Sequence, residues 1–573
     1  MSNKYTASDS HSSGTRPSEG SSGESSLASR LDTRDRYRIG GPGALPRWPV
    51  ISSAPINLDE NLANTAVEIA LSQLQTSNIN YDRVSFASRY THGQTATEID
   101  STLLILTNFE HHRDQLVSLL DTLVATLSEL GHSGRVEILD TRASGGMKSF
   151  APKLTQEQRG AWQGTLAFII RTLGSIEVDW RQIYATNRGY WEAISTPTVV
   201  IKTAVLIDSY PETRHIRNEL TEKGLSLELM GIEGLWGLFG NLQAAIDDEQ
   251  VRTSLEWPFS PSYHGMGISI GRSFQQTPRT ASTLGGYLRI QKNGIEHTVG
   301  LGCYHGFRMN EDGTHDSNLD SGGATNLDWP CQSPAPYDVQ IFRESLMSTA
   351  HHPIPETLAP GIKAKREAQR NQSMRQIQEI NVFDPSIGNL VAVSGWHKRS
   401  LSRSISAPLV LIDWACIEIL QQHCPYPINS IDDMRPRLLR FCPEAVGSWK
   451  TDKQTVDKIA QMPSQDTPIF KQGRTTGLTA GLLGGLLPAA FRLEDAPQHL
   501  HHRGYVVFTA PFRNAFSGPG DSGAWCLDGN GDVVGQLIGG NQIEGSGILI
   551  PFAVVVNDIE KKLDLKPGSI RLL

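Results

Sequence analysis

The sequence is poor in cysteine: 573 residues carry six, Cys303, Cys331, Cys416, Cys424, Cys442 and Cys526, none in a C-x-x-C pair. That excludes a disulfide-stapled scaffold and offers no paired zinc ligands, so free thiols, no metal and no cofactor are expected. Long hydrophobic runs are missing too. No eighteen consecutive apolar residues occur, so no membrane-spanning helix is expected. The opening MSNKYTASDSHSSGTRPSEGSSGESSLASR lacks the apolar core of a secretory signal. These absences together point to a reducing, cytoplasmic setting without membrane partners. Positive charge is not in excess either: 52 Lys and Arg against 60 Asp and Glu leave a net charge of −8, which gives no electrostatic reason to expect a nucleic-acid partner. No repeat of fixed period is evident.

What is present suits a globular chain of two or three domains, with 38% hydrophobic and 20% charged residues. Residues 1–50 are rich in Ser, Gly and Arg and cannot bury enough surface to offset the entropy of ordering, so a disordered arm is expected. Residues 51–250 read as an α+β domain. LDENLANTAVEIALSQLQ (58–75), RDQLVSLLDTLVATLSELG (113–131) and ETRHIRNELTEKG (212–224) have helical spacing, while STLLILTNF (101–109) and TVVIKTAVLI (198–207) read as buried strands. In the second helix Leu116, Leu119, Leu120, Leu123, Leu127 and Leu130 share one face, which implies core packing, and Gly131 fits a C-cap. This region carries no phosphate loop, no His/Cys cluster and no nucleophile motif. Its residues define no role; regulation or targeting through a protein partner is the expectation, with a separate activity of its own as the alternative.

After the polar stretch AAIDDEQVRTSLEWPFSPSYHG (244–265) the texture changes to short apolar runs punctuated by glycine, the pattern of an all-β barrel or sandwich over 256–573. Insertions are expected near 307–335, as a polar loop, and near 345–382, as an exposed helix. FAVVVNDIEKKLDL (552–565) has the spacing of a closing helix.

Within this half, SGPGDSGAWC (517–526) raises the question of a nucleophile. A serine hydroxyl needs a base to take its proton, and attack on a carbonyl needs donors for the developing oxyanion. Gly520 and Gly523 let the backbone turn sharply and aim N–H groups at one point. His305 is the best base, because it follows the apolar run TVGLGCY at a strand end facing a loop. Asp413, inside the apolar PLVLIDWACIEIL (408–420), needs a buried partner, and a histidine N–H is one.

These motifs, in this order, resemble the chymotrypsin/trypsin-like serine peptidases, closest in style to intracellular trypsin-like domains. TVGLGCYHGF, LIDWACIEI and SGPGDSGAWC resemble the family's histidine, aspartate and nucleophile motifs. FKQGRTTGLTAG (470–481) resembles a hairpin common in the family, and GDVVGQLIGG (531–540) its substrate-binding strand. Over about residues 262–573 the resemblance implies an all-β double barrel, following the N-terminal α+β domain read above. It implies a serine endopeptidase acting on polypeptide substrates, with His305, Asp413 and Ser522 as a triad and the N–H groups of Gly520 and Ser522 as the oxyanion hole. It places Phe516 at the floor of the primary pocket and Gly539 and Gly540 along its wall, which favours small or apolar side chains. The chain also departs from the family. No cysteine follows His305, Pro519 precedes Gly520, and no activation site precedes an Ile-Val start, so Asp521 is expected to find a local partner. The alternative is a pseudoprotease whose barrel only binds a peptide or partner.

Overall fold

The computed structural model describes residues 31–573 apart from 92–93, 110–111, 205–206, 208–209, 232–258, 260–264, 274–280, 309–318, 320–322, 401–408, 432, 464–465, 493–501, 513 and 542–543. Two compact units divide at 144/145, with the short stretch Thr91–Gln94 grouped with the second, so the boundary does not fall near 250. The polar stretch expected to separate the domains lies outside the described residues except for Phe259 and Gly265.

In the first unit, strands β1 (Asp32–Asp35), β2 (Arg38–Gly41), β3 (Val50–Ser53), β4 (Tyr81–Thr91), β5 (Ser101–Thr107) and β6 (Arg135–Asp140) form one sheet in the order β1-β2-β6-β5-β4-β3. Helices α1 (Glu60–Thr76) and α2 (Arg113–Glu129) cover it with an apolar stripe that includes Leu74, Leu116, Leu120 and Leu123. Leu130, expected in that stripe, is exposed because it caps the helix, and Gly131 follows at φ +84°. The disordered arm is corrected from residue 32 onward. Ile39 is fully buried in this core, and the Arg38 guanidinium shares the buried Glu137 carboxylate with Arg89, at 2.7 and 2.8 Å. An arginine paired this way joins a core that composition alone would deny it.

The second unit opens with β7 (Lys148–Phe150), α3 (Gln156–Ser175), β8 (Trp180–Gly189), β9 (Thr196–Thr203), α4 (Pro211–Glu222) and β10 (Ser226–Gly231). Its helix–strand–strand–helix–strand order repeats that of α1-β4-β5-α2-β6. The pairing repeats as well, with the first two strands antiparallel and the second and third parallel in both copies. A repeat is therefore present, carried by topology, although sequence shows none of fixed period.

Strands β11 (Ser269–Arg272), β12 (Ser282–Thr283), β13 (Gly286–Lys292), β14 (Ile295–Gly302), β15 (Ala324–Gln332), β16 (Ser386–Val393), β17 (His397–Ser400), β18 (Leu409–Ile412) and β19 (Ala415–Ile419) follow. The pairing β11-β15-β16-β19-β14-β13 closes on itself, because β13 continues from β12 and β12 pairs β11. Strands β20 (Thr467–Gly473), β21 (Gly477–Phe491), β22 (His502–Phe508), β23 (Trp525–Leu527), β24 (Val533–Asn541) and β25 (Ser546–Pro551) close a second ring, β20-β21-β22-β25-β24-β23 and back to β20. The short β26 (Ile570–Leu572) adds to β13. Two closed antiparallel barrels of six strands in tandem are the chymotrypsin-like double barrel, in a multidomain chain. One apolar cluster joins them, running from Leu288 and Leu301 through Trp414 and Trp525 to Phe552 on the closing helix Phe552–Lys562.

The insertion expected over 307–335 needs correction. Its second half is β15, a barrel strand whose side chains are mostly exposed or half-exposed, so it lacks the apolar alternation of a buried strand. Residues 309–318 and 320–322 of that insertion are outside the described residues. The insertion over 345–382 is a helical hairpin, Pro336–His351 and Pro360–Val382, the second helix almost entirely exposed. All six cysteines are buried and free. Among the described residues no helix is long and apolar enough to cross a membrane.

Candidate functional site

Strand β14 ends at Gly302, and the chain then turns through a 3-10 segment, Tyr304–Phe307, that carries His305. Asp413 sits in the two-residue break between β18 and β19 and not inside a continuous strand. Leaving the ladder frees its side chain to turn toward the histidine. The backbone of the neighbouring Trp414 is bonded to Ser394, and its indole N–H donates to Asp558 Oδ2 at 2.8 Å. Asp413 is fully buried and His305 nearly so, at 0% and 4% exposure. His305 Nδ1 lies 2.6 Å from Asp413 Oδ2, and the His305 backbone N–H donates to Oδ1 at 3.1 Å. One carboxylate thus fixes both the ring and its backbone. The Trp396 ring stacks on the imidazole, 6.5 Å between centroids and 17° between planes.

Ser522 lies on the loop between β22 and β23 of the second barrel and is 2% exposed. Its carbonyl accepts from the Thr283 N–H and the Ser282 hydroxyl, both at 2.8 Å. The Ser282 side chain packs in turn on Gly306, where an added methyl would fall 2.4 Å from Ser282 Cβ. The loop of Ser522 and the turn of His305 therefore meet across one serine. The Ser522 hydroxyl makes no hydrogen bond to another described residue.

The loop conformation depends on two glycines with positive φ, Gly520 at +91° and Gly523 at +100°. A Cβ at Gly520 would come within 2.0 Å of Arg474 Nη1, and one at Gly523 within 2.1 Å of the Thr283 carbonyl, so only glycine fits. Neither the Gly520 nor the Ser522 N–H donates a hydrogen bond among the described residues, while their neighbours Asp521 and Gly523 do. These two donors, on either side of Asp521, are the ones expected to receive an oxyanion.

Asp521 finds its local partner. Its buried carboxylate accepts from Lys471 Nζ at 2.7 Å, the Thr476 hydroxyl at 2.6 Å, and the backbone N–H groups of Thr475, Thr476 and Gly518. Burial opposes its ionisation, but Lys471 and these donors outweigh burial and hold the carboxyl below its ordinary range. Arg474, two residues on from Gln472, forks onto Asp338 at the start of the inserted hairpin and backs Gly520. Sequence reasoning missed Lys471, Arg474 and Trp396 as parts of the site.

The expected pocket residues are also placed. Phe516 is fully buried, its ring among Ile469, Leu483, Val507 and Leu549 and against Gly481 and Gly547, so it belongs to the barrel core. Gly539 and Gly540 lie on β24 opposite Ile548 and Gly547. Among the described residues one trio could converge on a metal: Cys303, His305 and Asp413, with ligand atoms within 4.8 Å of one another. Burial, then the Asp413 charge, pushes the Cys303 thiol well above its ordinary range.

No protein-family model and no curated protein matches the chain. Among solved structures, a glutamic-acid-specific serine protease that uses a histidine triad in substrate binding aligns over 54% of this chain and all of its own, at 11% identity and TM-score 0.25. The Rv3671c protease of M. tuberculosis in its active form aligns over 60% and 97%, at 11% identity and TM-score 0.25. Cellulomonas bogoriensis chymotrypsin aligns over 33% and 90%, at 17% identity and TM-score 0.19. At these values the fold rests on the strand pairing described above.

Proposed function

We propose that this protein is a serine endopeptidase acting through His305, Asp413 and Ser522. The observation that carries this reading is the buried Asp413–His305 pair, packed through Ser282 and Gly306 against a glycine turn that presents Ser522 and two unused N–H groups. Ser522 Oγ attacks the scissile carbonyl, and His305 takes its proton and later delivers it to the leaving amine. Asp413 holds the Nδ1 tautomer and stabilises the imidazolium. The N–H groups of Gly520 and Ser522 receive the oxyanion, each contributing about 3 kcal/mol in the transition state. Resting hydroxyl–imidazole contacts are often loose and tighten only with substrate. The buried free thiols favour a cytoplasmic location.

The test is fluorophosphonate labelling of the native chain with Ser522→Ala as control, followed by cleavage of a peptide library. Ser522-dependent labelling and peptide cleavage are expected. Absence of both in the folded chain would favour the second reading, a pseudoprotease that binds peptides, for which the unbonded Ser522 hydroxyl is the supporting observation.

A further inference from the structure

A buried charge network lies outside the site, where the second repeat meets the second barrel. Glu544 sits in the turn between β24 and β25 with its side chain 9% exposed. Its carboxylate accepts from Lys202 Nζ at 2.5 Å, the Tyr184 hydroxyl and the Ser149 hydroxyl, both at 2.7 Å, and Arg188 Nη1 at 3.3 Å. All four donors lie on β7, β8 and β9. Arg188 also forks onto Glu228 of β10, at 2.7 and 2.9 Å. Two acids and two cations thus balance, with Lys202 and Arg188 buried and Glu228 at the edge of the cluster. Burial opposes the Glu544 charge, but Lys202 and Arg188 win and bring its pKa down to about 2.

The backbone around Glu544 leads back to the nucleophile loop. Its carbonyl accepts from the Thr509 hydroxyl at 3.0 Å. The Gly545 carbonyl accepts from the Ser517 N–H at 3.0 Å, and the Ser546 carbonyl from the Ser517 hydroxyl at 2.9 Å. Ser517 is the first residue of the SGPGDSG turn. An unbroken set of bonds therefore runs from the sheet of the second repeat through Glu544 to the segment that presents Gly520 and Ser522.

We infer that Glu544 is a positioning residue, and that residues 145–231 hold the nucleophile loop through it as a working part of the catalytic unit. This inference rests on the peptidase reading for its kinetic consequence but not for its structural one. The physical reason is that a carboxylate with four converging donors admits one placement, whereas an apolar contact at the same spot would tolerate sliding.

The test uses the full chain. Glu544→Leu alone orphans a buried lysine, so it is paired with the double variant Glu544→Leu/Lys202→Met, which removes every acceptor of the tether while Arg188 keeps Glu228. In the double variant, amide exchange over 516–518 and 545–547 is expected to quicken about tenfold or more while β14 keeps its protection. Acylation of Ser522 by a fluorophosphonate is expected to slow about tenfold to a hundredfold, with the peptide loss falling on kcat and KM within about twofold. A folded double variant with unchanged exchange at 516–518 and unchanged acylation overturns the inference. So does its global unfolding, which would make the network a general support of the fold. If the wild-type chain itself fails to acylate, the peptidase reading falls, and the exchange comparison alone decides the tether.

Discussion

The two αββαβ copies share an order of elements and a pairing scheme, yet they complete their sheets differently. The first is closed by strands from its own N-terminal side: β2 pairs β6, and β3 lies beside β4. The second borrows from the barrel. β8 pairs the far end of β21, Ala490 opposite Ile183 and Phe491 opposite Gln182, and the Trp162 indole of α3 donates to the Pro488 carbonyl at 2.9 Å. Ala490 is also counted in the core of the second copy, with Trp162, Leu166 and Ile201. The same topology thus serves once as a self-contained unit and once as an annex whose stability is shared with the barrel. The lesson is that a domain boundary follows where strands find their partners, and composition along the chain does not show that.

The strongest way to break this comparison is truncation. A fragment starting at Gly145 is expected to fold and keep Ser522-dependent labelling. One starting at Glu256 strips β21 of its β8 partner and is expected to lose both. Equal labelling by the two fragments would sink the annex view.

Next come the buried carboxylates. Glu137→Gln leaves Arg38 and Arg89 buried without their counter-ion and should cost the first unit about 3–5 kcal/mol, measured by exchange over 101–140, with labelling of Ser522 unchanged. Acid should act on both copies in the same direction. Burial opposes both charges, but paired cations hold Glu137 and Glu544 below the ordinary value of 4.5. Their contribution is complete above that value and is lost as pH falls, for Glu544 through the range from 4.5 to about 2. Only the Glu544 loss should release 516–518, read by exchange at stepped pH.

Core truncation sharpens the contrast further. Leu120→Ala in the first copy and Leu166→Ala in the second each remove a fully buried side chain and should each cost about 2–5 kcal/mol. The second alone should lower the unfolding midpoint of the barrel, as followed by near-ultraviolet dichroism of the buried Trp525. The smallest effect is expected at the helix caps. Asp59 caps α1, and Thr155 opens α3 with a capping box completed by Gln158. Alanine at either should cost about 1 kcal/mol, and a difference of more than twofold between them would show that the copies weigh local helix propensity differently.

Much of the barrel half was legible because its strands are buried on at least one face and broken by glycines. The runs around 298–307, 408–420 and 531–540 coincide with β14, β18–β19 and β24. β15 escaped because its residues face solvent. β4 and β8 escaped because YDRVSFASRYT and WRQIYATNRG mix charge with apolar residues, Arg89 and Arg188 being satisfied by partners distant in sequence, Glu137 and Glu228. The repeat escaped for a related reason: it is carried by strand pairing, and the segments that pair alike share no fixed spacing along the chain. At the site, His305 and Asp413 were readable from their apolar surroundings, and the structure brings them into one bonded pair. Lys471 was not, since a lysine is expected at a surface until the buried acid that holds it is known.

The ion pair between Lys471 and Asp521 carries one last consequence. Its cation belongs to the hairpin that folds next to the nucleophile turn, so the turn needs no newly made chain end to take its shape. On the peptidase reading, the turn is held by a lysine of the same barrel, and its shape does not wait on a cut elsewhere in the chain. The uncut full-length chain is therefore expected to react with a small acylating probe at Ser522.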